Sequence, residues 1–485
     1  MQLPFGEWLP DQPNHLKQGA NIAKNVYHAK QSYKPVKSLV PYSTNTIVST
    51  CLGAGSFRDG SNNVFNFAAT ATNIFQLASA AFTSRKASLS GDSTDYFTFT
   101  QFGNYVIVSN GIDVPQYYLM GTSTNFANLS AIATEGTPPT FRVSGVIRDF
   151  LVTGNQSSNT NRVQWSGIND ITTWTPGKKL ADFQDLPGSG GQIVHITSGE
   201  VGYIFRQNQI IRMDFVGGAT VFRFSVISSN RGAVYGRTVT QNDRNVFFYS
   251  DDGFYQISGD TLIPIGAEKV NRYFDNDLNK AYTDRISAAV DPFNQLAIWS
   301  YVSKRSLDGS PDTLMIYNYV TKKWTFASIS ASTIFTQFFG AYTVETMDVI
   351  SQNLEDINIS LDTDFWSGGQ LYLGAINSDF KAAIFSGTPL EAELETDEIE
   401  GKPGVRLNIT GVRPIIDADT TVVIKSREKL SDTVTESTSG NTTNSGINPV
   451  RSSGRYVRVN VKVSAGVGWN DAQGVDIIAS QAGTR

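Results

Sequence analysis

Leu390 to Glu400 reads LEAELETDEIE, and at a strand's two-residue period it places Glu391, Glu393, Glu395 and Asp397 on one face, with Ala392 and Leu394 on the other. A wall of carboxylates repels a phosphate backbone that a basic lining would trap. A plain edge strand guarded against aggregation by charge has the same pattern. Elsewhere in the chain, a glycosidase would need two carboxylates about 5 to 10 Å apart in a cleft, and no motif singles out a catalytic pair among the 44 Asp and Glu. Other constellations are weaker. Asp275-Asn276-Asp277-Leu278-Asn279 opens like a calcium loop but lacks the central glycine and has Ile286 where the bidentate glutamate belongs. Ser250-Asp251-Asp252-Gly253 approaches the Asp-box turn of sialidase propellers with its glycine one position early, and a capped hairpin turn explains it better. There is no Walker-type phosphate loop, HExxH, GxSxG or CxxC. One cysteine, Cys51, and three histidines assemble neither a disulfide nor a zinc cluster. The expectation is a chain that is not an enzyme and carries no cofactor and no metal.

The elements that would position such residues are hairpins. Asn104 to Tyr118, NYVIVSNGIDVPQYY, is an apolar run, a turn at Asn110-Gly111 and a second run. Related hairpins lie at Val201 to Phe215, Arg244 to Ser258 and Gln370 to Gly387. A lone hairpin buries too little to be stable, so serial copies must stack. Centres fall near Phe65, Tyr105, Phe150, Tyr203, Phe247, Ala297 and Tyr372, close to the period of about 40 to 50 residues of four-stranded propeller blades except at the last gap. Met315 to Phe326, MIYNYVTKKWTF, resembles the Trp-bearing blade signature of kelch-like propellers, and the tryptophans are expected between blades. The reading is all-β: a β-propeller of about six to eight blades over residues 47–328, an insertion over 329–369, and a last hairpin with the acidic strand over 370–400.

Both ends differ in texture. Residues 1–46 hold five prolines among spaced aromatics and read as an extended arm. Its Phe5, Trp8 and Leu9 would not stay in water, so the arm is expected to dock on its own domain or on a neighbouring subunit. Lys269 to Val290 reads as one or two short helices on the rim or at a subunit contact. Residues 401–485 form a β-sandwich-like domain of alternating strands, interrupted by a Ser/Thr/Asn/Gly loop. In its strand Arg455 to Val463, Tyr456, Arg458, Asn460 and Lys462 share a face that is solvated or meets a partner. A formal net charge of -5 argues against a generally nucleic-acid-binding surface. No apolar run reaches the length of a membrane span and the N-terminus lacks the pattern of a secretory signal, so cytoplasmic synthesis without membrane insertion is expected.

Gly6-Glu7-Trp8-Leu9-Pro10-Asp11, Leu371-Tyr372-Leu373-Gly374 running into LEAELET, Gly411-Val412-Arg413-Pro414, Ser453-Gly454-Arg455-Tyr456 and Ala472-Gln473-Gly474-Val475-Asp476 resemble the tail nozzle, or packaged-DNA stabilisation, proteins of short-tailed bacteriophages. The resemblance implies a virion tail protein without enzymatic activity, acting as a homohexameric ring. That ring would join the head-to-tail adaptor and a tail fibre or spike, and would hold packaged double-stranded DNA, without binding it specifically, until ejection. It makes Glu391, Glu393, Glu395 and Asp397 candidates for the channel lining and Phe5, Trp8 and Leu9 for an inter-subunit arm. Asn353–Gly369 and Thr435–Asn448 become candidate gate loops. A carbohydrate-binding or glycan-cleaving propeller, or a receptor-binding tail protein, would also account for the repeats and aromatics.

Overall fold

The computed structural model describes residues 1–15, 19–218, 220–242, 245–338, 371–402 and 404–481. Seven antiparallel four-stranded blades follow one another along most of the chain, six as separate sheets and one as part of a ten-stranded sheet; each runs outward from an inner strand, and all but the last are meanders of consecutive strands. The inner strands are Gly53–Arg58, Thr98–Phe102, Phe141–Ile147, Ile193–Ile196, Thr240–Asn242, Ser287–Asp291 and Ala331–Phe338, opening blades 1 to 7. Every hairpin centre picked out by pattern lies on the second strand of a blade. The hairpin after Asn104 forms as expected, with Tyr105–Ser109 paired to Gln116–Leu119. Its turn is set by the Asn110 side chain, which accepts hydrogen bonds from the backbone N–H of Ile112 and Asp113, and by Gly111 at φ +81. A β-carbon on Gly111 would also meet Arg142 at 3.0 Å.

The ring closes where blade 7 meets blade 1. Thr333 Oγ1 donates to the Cys51 carbonyl at 2.9 Å, Cys51 N–H donates to Ser332 Oγ at 3.2 Å, and Phe338 N–H donates to Ser56 Oγ at 2.8 Å. Blade 7 takes its outer strand from the other end of the chain: Lys37–Pro41 pairs with Ala382–Pro389. A propeller sealed by a strand from its own N-terminal segment cannot open without breaking that ladder. The tryptophans of the blades sit between blades, as expected, whereas Trp8 and Trp469 pack in the C-terminal core. Trp299 and Trp324 of blade 6 stack 5.6 Å apart with Phe254 of blade 5 against both, and Trp165 of blade 3 meets Phe222 of blade 4.

The arm is not a separate extension. Gln2–Pro4 pairs with Ala472–Gln481, Ala20–Lys24 lies between the outer strand of blade 6 and Ala392–Thr396, and Val26–Ala29 with Ser32–Pro35 forms a hairpin joined to Ala472. The C-terminal sandwich is therefore a composite. One sheet contains Leu407–Ile416, Asn448–Gly454 and Ala472–Gln481; the other contains Thr421–Arg427, Tyr456–Val463 and Ala392–Thr396 and runs without interruption into blade 6. Val457, Val459, Val461 and Val463 face inward against Val412, Val475 and Ile477 in the same apolar core as Trp8, Phe274 and Trp324.

Two boundaries shift accordingly. Blade 7 begins at Ala331, inside the span read as an insertion, because the inner strand ASTIFTQF has no hairpin turn of its own to mark it. The rest of that insertion, with the candidate loop Asn353–Gly369, lies outside the described residues. Part of the C-terminal polar loop is a strand: Thr435–Thr438 pairs with Thr421–Arg427, and Asn448 Nδ2 holds the Thr420 carbonyl at 2.7 Å. Between blades 5 and 6 there is one helix, Asn271–Asp277, and a 3-10 segment, Lys280–Arg285, packed on the chain's own core through Phe274.

Candidate functional site

The acidic strand is an interior strand. Ala392–Thr396 has Ala20–Lys24 on one side and Tyr456–Val463 on the other. Ala392 and Leu394 do face the core, but the acidic face is covered along most of its length. Glu391 is exposed and Glu393 half-buried, whereas Glu395 is 1% and Asp397 8% exposed. The Glu395 carboxylate takes Lys425 Nζ at 2.6 Å, Arg458 Nη1 at 3.2 Å and Asn460 Nδ2 at 3.0 Å; Glu393 takes Asn460 Nδ2 at 2.8 Å. Glu398, which the pattern did not single out, is 1% exposed and gripped by both arms of the Arg427 guanidinium. This corrects both readings of the ribbon: it is not an edge, and Glu395 and Asp397 do not present charge to a lumen. The missing signal was available, since the cationic face of Arg458 and Lys462 and the acidic face share a period and become neighbours.

Phe5, Trp8 and Leu9 are likewise corrected as an inter-subunit arm. All three are buried within their own chain. Trp8 lies 4.9 Å from the Tyr273 ring and 4.8 Å from Phe326, and its Nε1 donates to the Asn21 carbonyl at 3.1 Å. Glu7 pairs with Lys269 at 2.7 Å. The calcium-like segment is helical: Asp275 pairs with Lys280, and Asp277 accepts from the Tyr301 hydroxyl and Arg305. Asp252 in the Asp-box-like turn binds Arg231 and the Tyr255 hydroxyl. Among the described residues no group of three or more His, Cys, Asp and Glu is placed to hold a metal ion, and no helix is long and apolar enough to cross a membrane.

What the fold does bring together, unannounced by any motif, is a polar cavity of about 390 Å³ whose walls come from successive blades. Thr94 and Tyr96 lead into blade 2, Arg142 and Asn155 belong to blade 3, Gln192, Val194 and Gln207 to blade 4, Tyr235 and Arg237 lead into blade 5, and Thr283 and Asp284 lead into blade 6. Only the propeller axis touches so many blades at once. Arg237 spans this mouth. Its Nη1 donates to the Asp284 carbonyl at 2.9 Å and its Nη2 reaches Thr333 Oγ1 of blade 7 at 3.5 Å. Burial lowers its pKa from the ordinary arginine value, against the pull of Cys51, Tyr96 and Asp284. Arg142 is paired with Asp95 at 3.1 Å and lies 5.3 Å from the Tyr96 ring centre. Burial raises the Tyr96 pKa and that of the Cys51 thiol, which keeps the latter an unreactive buried group.

A second cavity, of about 360 Å³, lies between blades 6 and 7 under the N-terminal segment. Leu296, Ile298, Leu314, Ile316 and Ile384 line it, with Asp291 and Tyr27 at its polar end. Burial raises the Asp291 pKa, while burial and then the Asp291 charge push Tyr27 up to about 12.

No family model matches the chain, and no curated protein does. One solved chain, from the crystal structure of the mitotic checkpoint complex, aligns with a TM-score of 0.42 at 10% identity, covering 74% of this chain and 98% of that chain. What identifies this chain as a β-propeller is its own strand pairing.

Proposed function

We propose that the chain is a structural subunit of a short-tailed phage tail, a nozzle-type protein that assembles as a homohexameric ring on the head-to-tail adaptor and retains packaged DNA until ejection. The role is mechanical. Packaged DNA presses along a tail channel, and a subunit in its wall has to transmit that load without its domains sliding. The observation that carries the reading is the convergence of the segments that resemble the family. Gly411–Pro414 and Ala472–Asp476 meet on adjacent strands with Arg413 opposite Asp476, and Ser453 and Gly454 pair on the other side of the strand that carries Gly411–Pro414. The chain's first strand closes this sheet, with Leu3 opposite Val475 and the terminal amine and Arg413 both paired to Asp476. From there the N-terminal segment threads the sandwich, blade 6 and blade 7 in turn.

The test is the mass of the purified full-length chain by native mass spectrometry, alone and mixed with the adaptor-type protein encoded in the same genome. Rings near six times the 52.9 kDa chain mass are expected. A chain that stays monomeric with the adaptor, and is missing from purified particles, would overturn the reading.

A further inference from the structure

The axial mouth has the composition of a ligand site rather than of a plug. Charges there are balanced in pairs: Arg142 is neutralised by Asp95, and Arg237 faces Asp284. The Asp284 carboxylate, though its charge balances Arg237, makes no hydrogen bond among the described residues, and neither do the side-chain amides of Gln192 and Gln207, so their acceptors and donors are open to a ligand. Tyr96 and Tyr235, both half-buried, add aromatic faces to the same wall. A balanced lining gives an anion or a cation no net attraction, whereas a ligand dense in hydroxyls can donate to Asp284 and accept from the amides and from Arg237 at once. Its C–H faces would lie on the tyrosine rings. The cavity volume, about 390 Å³, falls in the range of roughly 300 to 1,000 Å³ that small-molecule sites occupy.

We infer that the axial mouth of the propeller binds a neutral carbohydrate, one or two sugar residues at the end of a glycan, held by Asp284, Gln192, Gln207 and Arg237. The inference rests on this cavity alone and stands or falls separately from the tail assignment. Burial, which lowers the pKa of Arg237, marks it as a desolvated donor whose hydrogen bonds to a ligand would be worth more than at the surface.

The full-length chain is screened on a glycan array carrying neutral and acidic terminal sugars, and the best neutral hit is titrated as a free disaccharide by saturation-transfer NMR. Binding to neutral glycans is expected. Asp284→Asn should weaken it roughly tenfold, the scale of one lost hydrogen bond to a charged group, and Gln192→Ala roughly two- to fivefold, the scale of a neutral one. Gln192 is exposed, so its variant keeps the fold, and an unchanged Tm verifies this. Failure to bind any glycan on the array overturns the inference. Recognition of acidic glycans only overturns the charge-balance argument on which it depends. Neutral-sugar binding that neither variant weakens places the site elsewhere and overturns it too.

Discussion

Glu395 and its two cations show what a buried ion pair does and does not contribute. Desolvating three charges costs several kcal/mol that their attraction mostly offsets, so the trio adds little net stability, yet removing one member leaves the rest uncompensated. Glu395→Ala removes the nearest carboxylate of Lys425 and Arg458, whose side chains are 20% and 14% exposed and whose next partners, Glu436 and Glu398, lie 3.8 Å away, and should cost about 3 kcal/mol in urea unfolding. Glu391→Ala, two pleats away and exposed, should change stability by less than about 0.5 kcal/mol. Equal effects at the two positions would contradict the burial that separates them. The histidines carry a pH signature at the same scale. His28 lies with Nε2 3.0 Å from Lys323 Nζ, and burial, then that charge, lowers its pKa to about 4; burial alone does the same to His195. Below about pH 6.5 the unfolded chain takes up protons at these rings that the folded chain refuses until about pH 4. Stability is therefore full above pH 6.5 and declines as pH falls toward 4, by up to about 3 kcal/mol for a ring such as His28. His28→Gln should flatten part of that decline when denaturation midpoints at pH 7 and pH 4.5 are compared.

At the scale of elements, two features depend on residues far away in sequence. The helix Asn271–Asp277 has Val270 at its N-cap and no cap of its own; the Asp11 carboxylate supplies one, accepting from Arg272 N–H and Tyr273 N–H at 2.8 Å each. Asp11→Ala should cost about 1 to 2 kcal/mol, the effect of a lost N-cap, and hydrogen exchange should speed up first in this helix. Blade 7 relies on Lys37–Pro41 in the same way. Removing residues 1–41 exposes the edge of Ala382–Pro389, and hydrogen-exchange protection should then collapse in Ala331–Phe338 and in the facing Gly53–Arg58, while blades 3 and 4 hold longer. This is also where the sequence could and could not be read. Hairpins such as Tyr105–Leu119 were legible because alternation and an Asn-Gly turn are local. The donor strand KSLVP bears no mark of its partner, and LEAELET looks like a free edge until Arg458 and Lys462, more than sixty residues on, are laid beside it. The axial mouth was illegible for the same reason: Tyr96, Arg142, Arg237 and Asp284 each sit in an ordinary polar entry to a blade, and only ring closure makes them neighbours.

At the scale of the whole molecule, the composite sandwich makes a statement about cooperativity. The hairpin spacing and the alternating strands past Gly401 led to a propeller followed by a C-terminal β domain, which would be two bodies able to unfold in turn. Instead, Ala20–Lys24 and Ala392–Thr396 lie inside one sheet that continues from blade 6 into the sandwich, and a single apolar core runs from Trp299 and Trp324 through Trp8 to Val459 and Trp469. Melting either body first would expose the other's share of that core, at roughly 25 cal/mol for each Å² of apolar surface. Scanning calorimetry of the full chain should show blade 6 and the sandwich melting in one transition, with near-ultraviolet signals from both bodies lost together. Residues 401–485 expressed alone lack Gln2–Pro4, Ala20–Lys24 and Ala392–Thr396, so Val461 loses its neighbour Leu394 and Val475 its neighbour Leu3. That fragment should give no cooperative transition. A fragment that folds by itself, or a separate sandwich transition in the intact chain, would mean that the shared sheet does not couple the two bodies, and the argument for a wall that transmits load without sliding would lose its physical basis.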